Sequence, residues 1–210
     1  MKAILISIKP KYVADILNGK KTIEVRKGTA LYKAINKLIE QYGYADIYVY
    51  CTKDGYLHLE NNGKWSYSRN QKYTYIRSGK VIFKFRCYKV DEYTLKMIKG
   101  GLYFSKSGLI DFPNEEAQLD NFELLDYAGD KLGTKLYAIH ISDLEIFDKP
   151  KELSEFYKKG YLDYIKPCEH QRYPETYKDF YESVLKVAKH RFKITKAPQS
   201  WCYVEVEQWD

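Results

Sequence analysis

The chain has 210 residues, a length typical of one domain and sufficient to bury a core without help from a metal or a disulfide. It carries 35 Lys and Arg against 28 Asp and Glu, for a net charge of +7. The sequence shows no signal peptide, transit segment or long apolar run, which excludes a membrane partner and predicts a cytoplasmic protein.

The chain opens with a predicted strand and a short helix. Residues 3–8 are an apolar run, and Pro10 suits the first turn of a helix. Val13, Ile16 and Leu17 give that helix one apolar stripe, and Gly19 suits its C-terminal cap. A charged strand is predicted to follow the glycine turn.

The charged strand begins near Lys21 and places Thr22, Glu24 and Arg26 on one face, about 7 Å apart along the strand. Ile23 and Val25 fall on the other face. Because the charges lie at the mouth of a turn, a ligand can reach them. The alternative interpretation is a surface ion-pair network on an edge strand, which contributes little to stability.

The pattern Gly-x-Lys-x-x-Glu-x-Arg, at Gly19, Lys21, Glu24 and Arg26, resembles the ASCH family, part of the PUA-like group of small β-barrels. The resemblance is specific over residues 3–27 and weaker beyond, where the strand 136–141 is a second likeness. It implies a cleft beside the barrel that binds RNA, single-stranded nucleic acid or a nucleobase. Some members of the family are enzymes, among them an amidohydrolase acting on acylated cytidines and a ribonuclease.

The chain departs from the amidohydrolase members at one position. Lys21 matches their lysine, but Glu24 stands where they carry the threonine proposed as nucleophile. A carboxylate replaces a hydroxyl nucleophile poorly but serves as a base. Thr22, two residues earlier on the same face, is the other candidate hydroxyl.

The next elements are a helix capped by Thr29 and ended by Gly43, a strand over 44–52, a hairpin at the Asn62-Gly63 turn, and strands near 73–77 and 80–90. The strands 44–52 and 80–90 each have one apolar face and one face of aromatic and cationic residues. The aromatic and cationic faces include Tyr48 and Tyr50 on the first strand, and Lys84, Arg86 and Tyr88 on the second. Such a face stacks bases and follows a phosphate backbone. Packing of tyrosine across neighbouring strands is the structural alternative.

Acidic residues concentrate in the second part of the chain. Residues 1–90 carry 18 Lys and Arg against 6 Asp and Glu, whereas residues 91–150 carry 6 against 12. We interpret the stretch 91–135 as an insertion with a helix over 114–127 that turns Leu119, Phe122 and Leu125 inward. Concentration of the basic excess beside the charged strand favours a polyanionic partner.

The last part of the chain predicts helices over 150–160 and 174–190 and a final strand over 201–209. Pairing of that strand beside the first one closes a small barrel, and Trp201 then either lines the cleft or packs in the core. The sequence thus predicts one α+β domain over 1–210, a PUA-like small mixed β-barrel with peripheral helices, the acidic insertion and helical additions at about 150–190.

The four cysteines lack paired spacing, so we expect reduced thiols. Cys168 and His170 alone do not make a metal site, and no cofactor is predicted. The four histidines accompany no nucleophile motif.

The preferred function is binding of RNA or single-stranded nucleic acid in a basic, aromatic-lined cleft. The alternatives are a hydrolase of a modified nucleoside or RNA, with Lys21 and Glu24 as the catalytic acid and base, and a protein-interaction module. The predicted ligand-binding residues are Lys9, Lys21, Thr22, Glu24, Arg26, Tyr48, Tyr50, Lys84, Arg86, Tyr88 and Trp201.

Overall fold

The computed structural model describes residues 2–69, 78–110, 112–129, 131–169 and 178–206. The helices are α1 (Pro10–Leu17), α2 (Thr29–Tyr42), α3 (Asn114–Ala117), α4 (Asn121–Ala128), α5 (Tyr161–Glu169) and α6 (Lys178–Phe192). The strands are β1 (Lys2–Ile8), β2 (Ile23–Lys27), β3 (Ala45–Cys51), β4 (Tyr56–Leu59), β5 (Trp65–Ser68), β6 (Val81–Cys87), β7 (Val90–Ile98), β8 (Gly101–Lys106), β9 (Leu109–Ile110), β10 (Lys135–His140), β11 (Ser142–Lys151), β12 (Tyr157–Lys158) and β13 (Trp201–Glu205).

The described strands form two larger sheets and one hairpin. Sheet A has the order β11-β6-β3-β1-β13-β12, sheet B has the order β2-β10-β7-β8-β9, and β4 pairs with β5. β1 and β3 are parallel, whereas β13 runs antiparallel to β1 with Ile4 opposite Tyr203. The predicted α+β class and the pairing of the last strand beside the first are confirmed, as is the hairpin turn at Gly63.

The chain passes directly from one sheet into the other at two points. β6 leads into β7 across Tyr88 and Lys89, and β10 leads into β11 across Ile141. Because β6 pairs with β11 and β7 pairs with β10, these four strands form one bent two-stranded ribbon that links the two sheets. At the bend the His140 N–H donates to the Lys89 carbonyl (3.2 Å). This bend sets sheet B, with β2 at its edge, against the end of β1.

Apolar side chains cover both faces of sheet A. On one face β1 and β3 pack against α1, α2 and the hairpin, and on the other face Tyr48 and Tyr50 pack near Phe147 and Phe156. Every residue of β3 is buried, as expected for a central strand with both faces covered. A third cluster joins sheet B to α3 and α4.

The prediction of one helix over 114–127 is wrong, because the structure has two shorter helices there, α3 and α4. Gln118 ends α3 in the left-handed conformation (φ +52°), and Asp120 then caps α4 through a capping box with Glu123. The break turns the helix, so that Leu124 is fully buried while Phe122 is 84% exposed rather than inward. The stretch 91–135 supplies β7, β8 and β9 to sheet B; that it is an insertion stays a prediction.

Other predicted boundaries shift by a few residues or more. The helix predicted over 150–160 is instead a 3₁₀ turn at Leu153–Glu155 followed by β12, and α5 begins only after Gly160. Thr29 is the first helical residue of α2, because Gly28 takes the capping position with no side-chain bond. The predicted strand 73–77 and the residues 174–177 and 207–209 lie outside the described residues.

Among the residues that the structure describes, no helix is both long and apolar enough to cross a membrane.

Candidate functional site

The turn after α1 fixes the start of the charged strand. Gly19 adopts φ +72°, a left-handed conformation that glycine takes without strain. The N–H groups of Lys20 and Lys21 then both donate to the Asp15 carbonyl (2.9 and 3.1 Å). This hydrogen bonding turns the chain back along α1 and directs the Lys21 side chain beneath the strand that follows.

Lys21 is buried, with only 2% of the residue exposed. Its Nζ donates to the Ala117 carbonyl at the end of α3 (2.5 Å), lies 3.7 Å from Glu24 Oε2 and lies 5.3 Å from the centre of the Tyr12 ring. Burial lowers the pKa of Lys21, and the Glu24 charge opposes part of that shift. Lys21 therefore ties the stretch 91–135, called the acidic segment below, to the start of β2.

Glu24 and Arg26 form a close ion pair on one face of β2. Arg26 Nε lies 2.8 Å from Glu24 Oε1, at an angle outside that of a hydrogen bond, and Arg26 Nη2 donates to the Ser7 carbonyl (2.6 Å). The side chains are 8% and 12% exposed respectively. Lys21, Glu24 and Arg26 are called the charged triad below; the Arg26–Ser7 bond ties sheet B to the end of β1.

The charged triad lies at a cleft with a volume of about 600 Å³. The cleft is bounded by the junction of β1 and α1, by β2, by the loop after β3, by the residue Gln199 before β13, and by α4 with the loop before it. Its lining includes Ser7, Lys9, Tyr12, Glu24, Arg26 and Lys53. The acidic segment contributes Leu119, Glu123, Asp126 and Tyr127.

The charge of the cleft is mixed rather than basic. Three cations, Lys9, Arg26 and Lys53, face four carboxylates, which are Glu24, Asp54, Glu123 and Asp126. The predicted basic cleft is therefore wrong in its lining, because the acidic segment folds back to form one wall. Such a lining favours a ligand with hydrogen-bond donors and acceptors over a bare polyanion.

Contacts between α4 and the opposite walls set the shape of the cleft. Lys11 Nζ lies 3.5 Å from Glu123 Oε1, which joins α1 to α4 at the mouth. Lys27 donates its N–H to the Tyr127 hydroxyl (3.3 Å), and its Nζ lies 4.9 Å from the centre of that ring. Tyr12, on α1, is the second aromatic side chain of the lining.

The structure brings together only part of the predicted set. Lys9, Glu24 and Arg26 line the cleft, and Lys21 lies beneath it. Thr22 precedes β2, is exposed, and donates its N–H to the Glu116 carbonyl (2.9 Å). The remaining six residues lie outside the lining.

Tyr48 and Tyr50 are 3% and 5% exposed in the core of sheet A, so the stacking role predicted for them is wrong. Trp201 is half-buried against the same sheet, opposite Ile6 of β1, and packs on the core. The sequence predicts that Tyr48 and Tyr50 face the ligand, but their face of β3 is covered by residues distant in sequence, such as Phe147.

Lys84, Arg86 and Tyr88 are engaged with carboxylates on a different part of the surface. Lys84 Nζ lies 2.9 Å from Glu145 Oε2, and Arg86 lies 3.5 Å from Asp46 and 3.7 Å from Asp143. The Tyr88 hydroxyl donates to Asp143 (2.6 Å). Their predicted role along a phosphate backbone stays a prediction, and the cleft does not include them.

Among the described residues, no group of three His, Cys, Asp or Glu side chains has the arrangement of a metal site. His170 lies outside the described residues, so the prediction made for Cys168 and His170 stays a prediction.

No protein-family model matches the chain, and no curated protein matches it. Among solved structures, the chain is similar to the ASCH protein of Zymomonas mobilis, with 16% identity over 88% of this chain and 94% of that chain (TM-score 0.41). It is also similar to a point mutant of that protein, with 18% identity over 83% and 87% (TM-score 0.44). The N-terminal domain of McrB from Staphylothermus marinus is similar at 10% identity over 88% and 93% (TM-score 0.41). Two of these three are ASCH structures, the family that the segment from Gly19 to Arg26 resembles.

Proposed function

We propose that the protein binds RNA or another single-stranded nucleic acid and holds one base in the cleft. The observation that carries this proposal is the Glu24–Arg26 ion pair, largely buried, at a cleft of about 600 Å³. The volume is within the usual range of small-ligand sites and accommodates a nucleotide. A pair fixed in this way presents an acceptor and a donor side by side, the arrangement that the edge of a base requires.

Each part of the lining has a role in this proposal. Glu24 accepts from an exocyclic amino group, and Arg26 donates to a ring nitrogen or carbonyl oxygen of the base. The bond from Arg26 Nη2 to the Ser7 carbonyl holds the guanidinium beside Glu24 at the cleft. Tyr12 and Tyr127 supply aromatic faces for stacking.

The lining also sets the expected salt dependence. Lys9 and Lys53 are the lysines of the cleft lining, and both are exposed, so about two phosphates are contacted there. For single strands each contact contributes about −0.7 to the slope of log K against log salt, which gives a slope of about −1.4. A shallow slope distinguishes a base held in a mixed-charge cleft from a polyanion on a basic surface.

The test is fluorescence anisotropy of a labelled single-stranded RNA at several salt concentrations, with single-stranded DNA in parallel. Arg26→Ala is compared with Arg191→Ala, which removes an exposed arginine of α6 away from the cleft. We expect Arg26→Ala to weaken binding about ten-fold or more and Arg191→Ala to change it less than about two-fold. Absence of binding by the wild type, or equal losses in the two variants, would overturn the proposal; circular dichroism checks that both variants fold.

A hydrolase acting on a modified nucleoside or on RNA is the second candidate, because Lys21 has a lowered pKa and lies 3.7 Å from a carboxylate. The burial of Lys21, at 2% exposure, supports the binding role instead, since a substrate in the cleft does not reach an ammonium that is buried and bonded to the Ala117 carbonyl. Product formation from an acylated cytidine or from RNA by the wild type, abolished in a folded Lys21→Ala variant, would favour the hydrolase. Equal product formation by the two proteins would exclude Lys21 as the catalytic group.

A further inference from the structure

A second charged cluster lies around Asp91, outside the cleft. Asp91 is only 8% exposed. Lys106 Nζ lies 2.7 Å from its Oδ1, while Lys89 Nζ and His140 Nε2 each lie 2.9 Å from its Oδ2. These four residues, called the Asp91 cluster below, come from β7, β8, β10 and the turn before β7.

The register of sheet B places the Asp91 cluster on the face opposite the charged triad. Ile139 pairs with both Glu24 and Val90, and the next pairs along the sheet are Ala138 with Val25 and with Asp91. Because successive residues of a strand point to opposite faces, Asp91 and Glu24 belong to different faces. The two sites are therefore separate, and neither includes the side chains of the other.

The Asp91 cluster has more cationic groups than its carboxylate needs. One lysine suffices to pair a carboxylate, as Lys135 does with Glu92 elsewhere on sheet B (2.6 Å). Here two lysines and a histidine meet one aspartate, which leaves at least one positive charge in excess. This local excess of positive charge attracts an anion to this part of the surface.

The side chains that surround Asp91 are also accessible from solvent. The side chains of Lys89, Lys106 and His140 are 59%, 37% and 33% exposed, whereas the Asp91 side chain is 10% exposed. Each ammonium has three N–H donors, so each lysine keeps donors beyond the one directed at Asp91. Lys89 Nζ and Lys106 Nζ lie beside the two oxygens of one carboxylate, so the spare donors of both ammonium groups can reach one tetrahedral anion.

We propose that the Asp91 cluster is a phosphate-binding site. Lys89 and Lys106 donate to the phosphate oxygens, and Asp91 is a positioning residue that holds the two ammonium groups together beneath the ligand, while His140 Nε2 stays paired with Asp91. The phosphate is either a phosphodiester of a bound nucleic acid or free inorganic phosphate. This proposal is independent of the cleft, because it needs none of the charged triad.

The test is a titration of the protein with inorganic phosphate, followed by NMR of the lysine side chains, with chloride at matched ionic strength as the reference. Lys89→Gln is compared with Lys135→Gln, which removes a lysine from the one-to-one ion pair on the same sheet. We expect Lys89→Gln to weaken phosphate binding about five-fold to ten-fold and Lys135→Gln to change it less than about two-fold. Lys89→Gln leaves Lys106 and His140 on Asp91, so the fold is retained, and a thermal melt verifies this.

A second arm identifies the source of the phosphate. If it is a phosphodiester, Lys89→Gln makes the salt slope of single-stranded RNA binding shallower by about 0.7, and Lys135→Gln does not. If RNA binding is the same in both variants while phosphate binding differs, the ligand is free phosphate. A wild-type protein that responds to phosphate no more than to chloride overturns the proposal, as do equal phosphate affinities in the two variants.

Discussion

The charged triad makes a sharp prediction about stability, through the variant Glu24→Gln. Glu24 is 6% exposed and lies between two cations, 2.8 Å from Arg26 Nε and 3.7 Å from Lys21 Nζ. Replacing the carboxylate by an amide keeps the size of the side chain but leaves both cations without their shared counter-ion. Lys21, at 2% exposure, cannot reach water without moving.

The magnitude follows from the distances. With an effective dielectric constant of about 20, the attraction is about 6 kcal/mol at 2.8 Å and about 4.5 kcal/mol at 3.7 Å. Desolvation of the three charges, and repulsion between the two cations, offset much of this sum. Removing one partner of a buried ion pair costs about 3–5 kcal/mol, and we expect Glu24→Gln to lower the free energy of unfolding by that amount.

Lys21→Met is the matched comparison. It removes one cation, keeps the Glu24–Arg26 pair and loses the hydrogen bond to the Ala117 carbonyl, at a cost of about 1–2 kcal/mol. The assay is urea unfolding followed by tryptophan fluorescence, with the slopes compared to confirm that the variants unfold in the same way. A loss below about 1 kcal/mol in Glu24→Gln, or a larger loss in Lys21→Met, would refute the reasoning that Glu24 neutralises two buried cations.

Two further predictions concern sheet B and α4. Burial raises the pKa of Asp91, but the hydrogen bonds from Lys106, Lys89 and His140 outweigh burial and hold that pKa well below its usual range. The stabilisation is therefore complete above about pH 4 and declines at lower pH, so Asp91→Asn should cost more stability at pH 7 than at about pH 3 in urea unfolding. On α4, Leu124→Ala should lower the free energy of unfolding by about 2–5 kcal/mol and Phe122→Ala by less than about 0.5 kcal/mol.

Each of these predictions has a clear contrary result. An Asp91→Asn cost that is equal at the two pH values would mean that the cationic groups do not lower the pKa of Asp91. A large loss in Phe122→Ala would mean that this ring packs inward, as expected for one unbroken helix over 114–127, and not outward from α4.

Local signals in the sequence predict the part of the site built from neighbouring residues. Pro10 and Gly19 delimit α1 nearly as expected, and alternation along β2 predicts that Glu24 and Arg26 share a face. These features depend on backbone preferences within a few residues. The pairing of β13 with β1 was also predictable, because an apolar alternating strand needs a partner.

The rest depends on contacts between distant segments. Tyr48 belongs to an alternating strand, yet its ring is covered by Phe147 and Phe156, about a hundred residues away. The wall formed by α4 is equally hidden, because no local pattern shows that Glu123 and Tyr127 approach β2. The capping box at Asp120 is the one local signal that would have divided the predicted helix correctly.

The position of β13 inside sheet A has a consequence for how the protein is made. β13 lies between β1 and β12. Just before β13, Gln199 completes the cleft lining, and the Ser7 hydroxyl donates to the Pro198 carbonyl (2.7 Å). About 200 residues separate the paired residues of β1 and β13, so β1 emerges from the ribosome long before the strand that covers it. Until Trp201–Glu205 has been synthesised, one edge of β1 is exposed and the cleft lacks the part of its wall that Gln199 contributes.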